Sequence, residues 1–218
     1  GIQLHHYASN ESKFLLDDKP FVISQQTDYP WDGYIKIKIL ESEIEREKSI
    51  SFRVPGWANE PVLKINGVVQ DVKISSSGYA QVIKKWKKGD VIEFNIPFEV
   101  DMLVADEKVE YTRNQVAVRR GPIIYCVESN DIPEGMNLFN VKLNKKAKFS
   151  IIDGTEVFEG MKLIQTKAIY KDEVGKVDVG LYHKLNTDKG DQIDITLIPY
   201  FAWNNREEPQ MSIWMPFE

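Results

Sequence analysis

The stretch Gly33-Tyr34-Ile35-Lys36-Ile37-Lys38-Ile39-Leu40 places isoleucine at every second position with lysine between. A period of two marks a strand with one face in a core and the other in water, because successive side chains of an extended chain point to opposite sides. The pattern returns in Ile50, Phe52 and Val54 around Ser51 and Arg53. It returns again in Ile92, Phe94 and Ile96 around Glu93 and Asn95, and in Ile193, Ile195 and Leu197 around Asp194 and Thr196. Strands of this half-exposed kind belong to antiparallel sheets. Turn signals separate them, at Asp32-Gly33, Pro55-Gly56, Asn66-Gly67, Lys88-Gly89-Asp90, Gly121-Pro122 and Asp153-Gly154. The sharpest is Leu63-Lys64-Ile65-Asn66-Gly67-Val68-Val69, a two-residue hairpin whose central pair tolerates positive φ.

Helical patterns are missing. Residues 41–48 are too short and too evenly charged to form an apolar stripe, and nothing else is long enough for a crossover between parallel strands. The expected fold is therefore all-β, as two β-sandwich, jelly-roll-like domains in tandem with little helix. The strand pattern ending at Pro97-Phe98 gives way to the charged Asp106-Glu107-Lys108 before a new series begins at Val109. This puts the junction near residues 103–106, with a first domain over 1–103 and a second over 104–218. Each is then about a hundred residues, a common domain size. Residues 130–137 and 186–191 read as loops.

The 218 residues are 42% hydrophobic and 28% charged, with a net charge of −5. That balance suits a folded globular chain and argues against a nucleic-acid partner, which calls for clustered basic residues. Lys84, Lys85, Lys87 and Lys88 read as a solvated turn. The single Cys126 forms no internal disulfide, so the compartment stays open between cytoplasm and periplasm or exterior. No apolar run has transmembrane length, so no membrane partner is expected, and no signal-peptide pattern is present. The opening Gly1-Ile2-Gln3-Leu4-His5-His6-Tyr7 reads as the middle of a strand.

Several strings occur together in one order. They are Ser51-Phe52-Arg53-Val54-Pro55-Gly56-Trp57-Ala58, the Asn66-Gly67 hairpin, Tyr79-Ala80 before Trp86-Lys87-Lys88-Gly89-Asp90-Val91-Ile92, and Val116-Ala117-Val118-Arg119-Arg120-Gly121-Pro122-Ile123-Ile124-Tyr125-Cys126. Outside that span lie Gln26-Thr27-Asp28-Tyr29-Pro30-Trp31-Asp32-Gly33 and Ile198-Pro199-Tyr200-Phe201-Ala202-Trp203-Asn204-Asn205-Arg206. In these strings the chain resembles the C-terminal region of the bacterial β-L-arabinofuranosidase-type glycoside hydrolases, family 127, formerly a domain of unknown function.

The resemblance implies a helical-barrel catalytic domain in the same polypeptide, upstream of β-sandwich accessory domains. It also implies a cysteine nucleophile, a zinc held by cysteines and a glutamate, and a glutamate acid/base, all in that barrel. None carries over to a residue of this chain, so no cofactor is expected here and any zinc belongs to the catalytic domain. The resemblance further implies that the first sandwich of the intact enzymes uses strands from before the barrel. A first domain without them would expose an unpaired edge and self-associate.

Residue by residue, glycosidic hydrolysis needs two carboxyl groups across the scissile bond. Asp17-Asp18, Glu43 with Glu45, and Glu207-Glu208 sit in polar turns and take no catalytic role. His5 and His6 point to opposite faces of a strand and share no metal; His183 stands alone. Cys126, flanked by Ile123, Ile124 and Val127, reads as a small buried hydrophobe rather than a nucleophile. Among the five tryptophans, Trp86 and Trp214 fit core packing and Trp57 folds back over a strand end. Trp31, followed by Asp32, and Trp203, followed by Asn204, sit in turn-like polar settings. With Tyr7 of the opening strand they are the candidate docking or sugar-contact residues, although packing inside their own domains accounts for them as well.

Two functions follow from these residues. One is a non-catalytic, carbohydrate-metabolism accessory region that braces a glycosidase barrel. The other is a freestanding carbohydrate-binding module that engages plant-type oligosaccharide through exposed aromatics. An exposed aliphatic face favours the first, and coplanar exposed aromatics favour the second.

Overall fold

The computed structural model describes residues 1–71, 73–172, 182, 187, 189–206 and 209–218. The chain is all-β: among these residues the only helical pieces are three-residue 3-10 turns. Among the described residues no helix is long and apolar enough to cross a membrane. The chain divides into two compact units, Gly1–Glu99 and Val100–Glu218.

The first unit holds β1 (Ile2–Leu4), β2 (Asn10–Leu16), β3 (Lys19–Thr27), β4 (Tyr34–Ser42), β5 (Lys48–Arg53), β6 (Val62–Ile65), β7 (Val68–Gln70), β8 (Tyr79–Lys84) and β9 (Val91–Asn95). Among the described residues they form one sheet in the order β2-β3-β4-β9-β6-β7 and a smaller one in the order β1-β5-β8. The alternation in β4 works as its sequence requires, with Ile35, Ile37 and Ile39 fully buried and Lys36 and Lys38 in water. These isoleucines share the core with Phe21, Ile23, Leu63, Ile92 and Phe94 of the larger sheet and with Ile2, Ile50, Phe52 and Ala80 of the smaller. Each large side chain buried this way stabilises the fold by roughly 1.5–3 kcal/mol. Trp86 joins the core, and its indole N–H donates to the Lys48 carbonyl at 2.8 Å.

Two tight hairpins fix strand register. Asn66 and Gly67, at φ 50° and 80°, join Ile65 to Val68. Asp17 and Asp18, at φ 52° and 58°, join Leu16 to Lys19 in the same way. Positive φ at both central positions gives the backbone twist that matches flanking strands. Residues 43–47 run as irregular chain between β4 and β5, with Ile44 buried.

The second unit holds β10 (Val100–Leu103), β11 (Gln115–Arg120), β12 (Ile123–Glu128), β13 (Val141–Leu143), β14 (Ser150–Asp153), β15 (Lys162–Tyr170), β16 (Asp191–Pro199), β17 (Met211–Ser212) and β18 (Met215–Pro216). Because β10 pairs with β11, Val100–Leu103 fold with this unit, a few residues ahead of the junction drawn from sequence. The main sheet runs β10-β11-β12-β16-β15-β13. It then curls back on itself, since β18 pairs with β11 and the following Phe217 bridges to Leu143 of β13. Register puts Val118, Tyr125, Leu197 and Ile164 on the inner side, together with Ile195, Ala168 and Leu143, and all are buried. On the opposite side of β12 and β16, Cys126 and Ile198 join Phe158, Leu163 and Ala202 in a second, smaller cluster. Strands covered on both faces read as continuous apolar runs, which is why Ile123-Ile124-Tyr125-Cys126-Val127 lacks alternation.

Candidate functional site

The second cluster of the second unit is roofed by the turn Tyr200–Ala202 and the residues after it. Beneath that roof lies Glu128, at the end of β12, with no exposed surface. Its carboxylate accepts the backbone N–H of Asn204 at 2.7 Å and the Nε of Arg206 at 3.2 Å, and a second guanidinium nitrogen also donates to it. Asp131 accepts from the other side of the same guanidinium, at 2.9 and 2.7 Å. Arg206 also lies 4.8 Å over the ring of Phe158, a cation–π contact that adds to its hold.

The electrostatics follow from this arrangement. Burial pushes the Asp131 carboxyl up, only partly offset by its bonds to Arg206. The hydrogen bonds that Arg206 donates to Asp131 and Glu128 hold its guanidinium above its ordinary value and keep it charged. Two buried carboxylates thus share one guanidinium, which ties all three side chains into the fold. Burial drives the nearby Cys126 thiol up to about 12, and the charges of Glu128 and Asp131 add to the shift. A thiol that stays protonated at neutral pH is no nucleophile.

The clamp fixes the geometry of the turn above it. Asn204 adopts φ 61°, and the turn presents Tyr200, Phe201 and Trp203 to solvent at 42%, 62% and 40% exposure. Of the candidates named from sequence, Trp203 and Asn204 thus sit on an exposed aromatic turn that is hydrogen-bonded to Glu128.

The other candidates lie in the first unit. Tyr7 is a core residue: it is 6% exposed, packs against Phe94 and Tyr29, and donates its hydroxyl to the Arg53 carbonyl at 2.6 Å. No ring face is left for a partner to touch. Trp31 is half-buried in the turn after the cis Tyr29-Pro30 bond, with its N–H on the Asp28 carbonyl at 2.8 Å. Asp32 is exposed and caps the turn by accepting the Tyr34 N–H at 2.9 Å. The next residue must be glycine, because a Cβ on Gly33 would meet the Ile96 carbonyl oxygen at 1.7 Å.

His5 bonds through Nδ1 to the Tyr79 hydroxyl at 2.6 Å, and Asp17 is held by Lys48. His183, Glu207 and Glu208 lie outside the described residues. Among the described residues no three His, Cys, Asp or Glu side chains come together to hold a metal ion. The zinc implied by the family resemblance therefore does not fit the side chains described here. Glu128, Asp131 and Arg206 were not candidates from sequence. The available signal was a charge continuing an apolar run at Glu128, a position that must find a buried partner.

Residues 1–98 match the family model described as "Beta-L-arabinofuranosidase, GH127 middle domain", and residues 100–216 match "Glycoside hydrolase family 127 C-terminal domain". The chain belongs to glycoside hydrolase family 127. It is 27% identical over 221 residues to a non-reducing end β-L-arabinofuranosidase of Bifidobacterium longum subsp. longum, covering 96% of this chain and 32% of that protein. Among solved structures it is similar to a glycoside hydrolase at TM-score 0.92 and 33% identity, over 100% of this chain and 36% of the other. It is also similar to Ara127N-Se, a GH127 β-L-arabinofuranosidase from Geobacillus stearothermophilus T6, at TM-score 0.91 and 31% identity, over 99% and 33%. The chain thus spans about one third of the length of these relatives.

Proposed function

We propose that this chain is the non-catalytic β region of a β-L-arabinofuranosidase-type glycoside hydrolase, and that it braces or docks against a helical-barrel catalytic domain. One observation carries the reading: the chain superposes on about a third of a glycoside hydrolase and of a GH127 β-L-arabinofuranosidase, while its own buried carboxylates are bonded to Arg206 and its thiol stays protonated. The nucleophile, the acid/base and any zinc then belong to the other two thirds. The aromatic turn held by Glu128 and Arg206 is the contact element, since a hydrogen-bonded loop with three exposed rings loses little entropy on docking. Hydrolysis of aryl β-L-arabinofuranosides by the purified chain tests the reading. No turnover above a protein-free control is expected, and turnover proportional to chain concentration overturns it.

The same three exposed rings also support a second reading, in which the turn stacks on a sugar. Quenching or a blue shift of Trp203 fluorescence on adding arabino-oligosaccharide, lost in Trp203→Ala, is the outcome that favours it over docking.

A further inference from the structure

The two sheets of the first unit show different chemistry to the outside. Lys36, Lys38, Lys64 and Glu93 occupy the outward face of the larger sheet, the usual charged dressing of a solvated strand surface. The smaller sheet is different. Register aligns Gln3 of β1 with Ser51 of β5 and Ser51 with Gln81 of β8, in one row across all three strands. The rows on either side, Ile2–Ile50–Val82 and Leu4–Phe52–Ala80, supply core residues, so the Gln-Ser-Gln row faces outward. In the next outward row Tyr79 stands opposite Arg53.

These polar groups are held in place before any ligand arrives. Ser51 is only 2% exposed and accepts the Gln81 side-chain N–H at 3.1 Å, which ties the amide of the exposed Gln81 to the floor. The Tyr79 hydroxyl is tied to His5, and the Tyr79 backbone N–H donates to Ser75 Oγ at 3.1 Å. Ser75 and Ser77 form a wall beside the row, giving a groove of about 460 Å³ with Asp71 and Lys73 also lining it. That volume is within the range of small-molecule sites, which combine a shaped cavity with a few convergent polar groups.

We propose that this groove on the outer face of the β1-β5-β8 sheet is a binding site for a short run of neutral sugar units. Amides offer donor and acceptor on one planar group, which suits the paired hydroxyls of a sugar, and the Tyr79 ring offers an apolar patch for its C–H face. The Gln-Ser-Gln floor itself carries no formal charge, and the charges at the rim, Asp71 and Lys73, are of opposite sign. Fixing Gln81 and Tyr79 in advance lowers the entropy lost on binding. The site is separate from the aromatic turn of the second unit and does not depend on the bracing role.

A nuclear magnetic resonance titration of the whole chain with arabino-, xylo- and cello-oligosaccharides of three to five units tests it. Saturable shifts at the side chains of Gln3 and Gln81 and at the backbone of Ser51 and Tyr79 are expected with at least one series. The double variant Gln3→Ala/Gln81→Ala, at two exposed positions, should weaken that binding about tenfold while the chain still unfolds cooperatively, with at most a small drop in thermal midpoint from the lost Gln81–Ser51 bond. Tyr79→Phe keeps the ring and removes only the hydroxyl; it should weaken binding by a smaller factor and serves if the double variant folds poorly. The proposal is overturned if no oligosaccharide gives saturable shifts, if the shifts fall on Tyr200, Phe201 and Trp203 instead, or if the affinity is unchanged in the variants. Because the titration reads binding and the arabinofuranoside assay reads turnover, failure of one is distinguishable from failure of the other.

Discussion

Glu128 ends an apolar strand and has no exposed surface, so its charge is tolerable only because Arg206 and a backbone N–H meet it. Removing one partner of such a pair leaves an uncompensated buried charge. Arg206→Met should therefore destabilise the second unit by about 3 kcal/mol, read as a shift in denaturant midpoint. Arg206→Lys should recover only part of this loss, since one ammonium cannot replace the forked contacts to both carboxylates. An Arg206→Met midpoint equal to wild type would show that the clamp contributes nothing. Cys126 makes the opposite case. With its thiol raised to about 12 and its side chain fully buried, native chain should react slowly with a disulfide reagent and quickly once unfolded; rapid native reaction would contradict the environment described. The burial of Cys126 was legible in sequence because its neighbours are apolar. The Glu128–Arg206 pair was not, because its members are 78 residues apart and no local pattern announces a contact at that range.

At the scale of elements, the Asn66-Gly67 hairpin does more than reverse the chain. The Asn66 side chain donates to Asp90 at 2.9 Å and accepts the Val91 N–H at 2.8 Å, so the turn is stitched to the one preceding β9. Burial pushes the Asp90 carboxyl up, but bonds from Asn66, the Lys87 N–H and Lys84 outweigh it and hold the group below the usual carboxylate range. A folded pKa below the unfolded one gives stability that is complete above the unfolded value and is lost as pH falls through the folded value. Asp90→Asn should thus cost about 1 kcal/mol at pH 7, with the gap from wild type closing in acid. An equal gap at pH 7 and at pH 2 would mean that the charge is not its source. Gly67→Val should cost about 1–2 kcal/mol, because a β-branched residue resists φ 80°. The Asn-Gly signal and the β4 alternation were readable because each is set by nearest neighbours. The parallel docking of β1 on β5 was not, since pairing Ile2 with Ile50 is a choice made by the whole core.

For the whole molecule, an all-β chain of two units could be read from strand spacing, with the junction drawn near residues 103–106, while the closure of the second sheet could not. Closure depends on β18, two residues long, which carries no periodic signal of its own. Each unit has its own buried set, so residues 1–99 expressed alone should unfold cooperatively, with strand-type circular dichroism and a single midpoint. A non-cooperative melt would show that the first unit borrows stability from elsewhere.

The pairing of Gln115 with Pro216, and of Leu143 with Phe217, also sets a timetable for synthesis. A ribosome finishes every strand of the first unit long before it reaches Met215, so that unit can fold while translation continues. The second unit must wait as an open ribbon, with β11 and β13 lacking their last neighbour, until its final strand has been made. During that interval its free edges are its chief exposure to mispairing with other nascent chains.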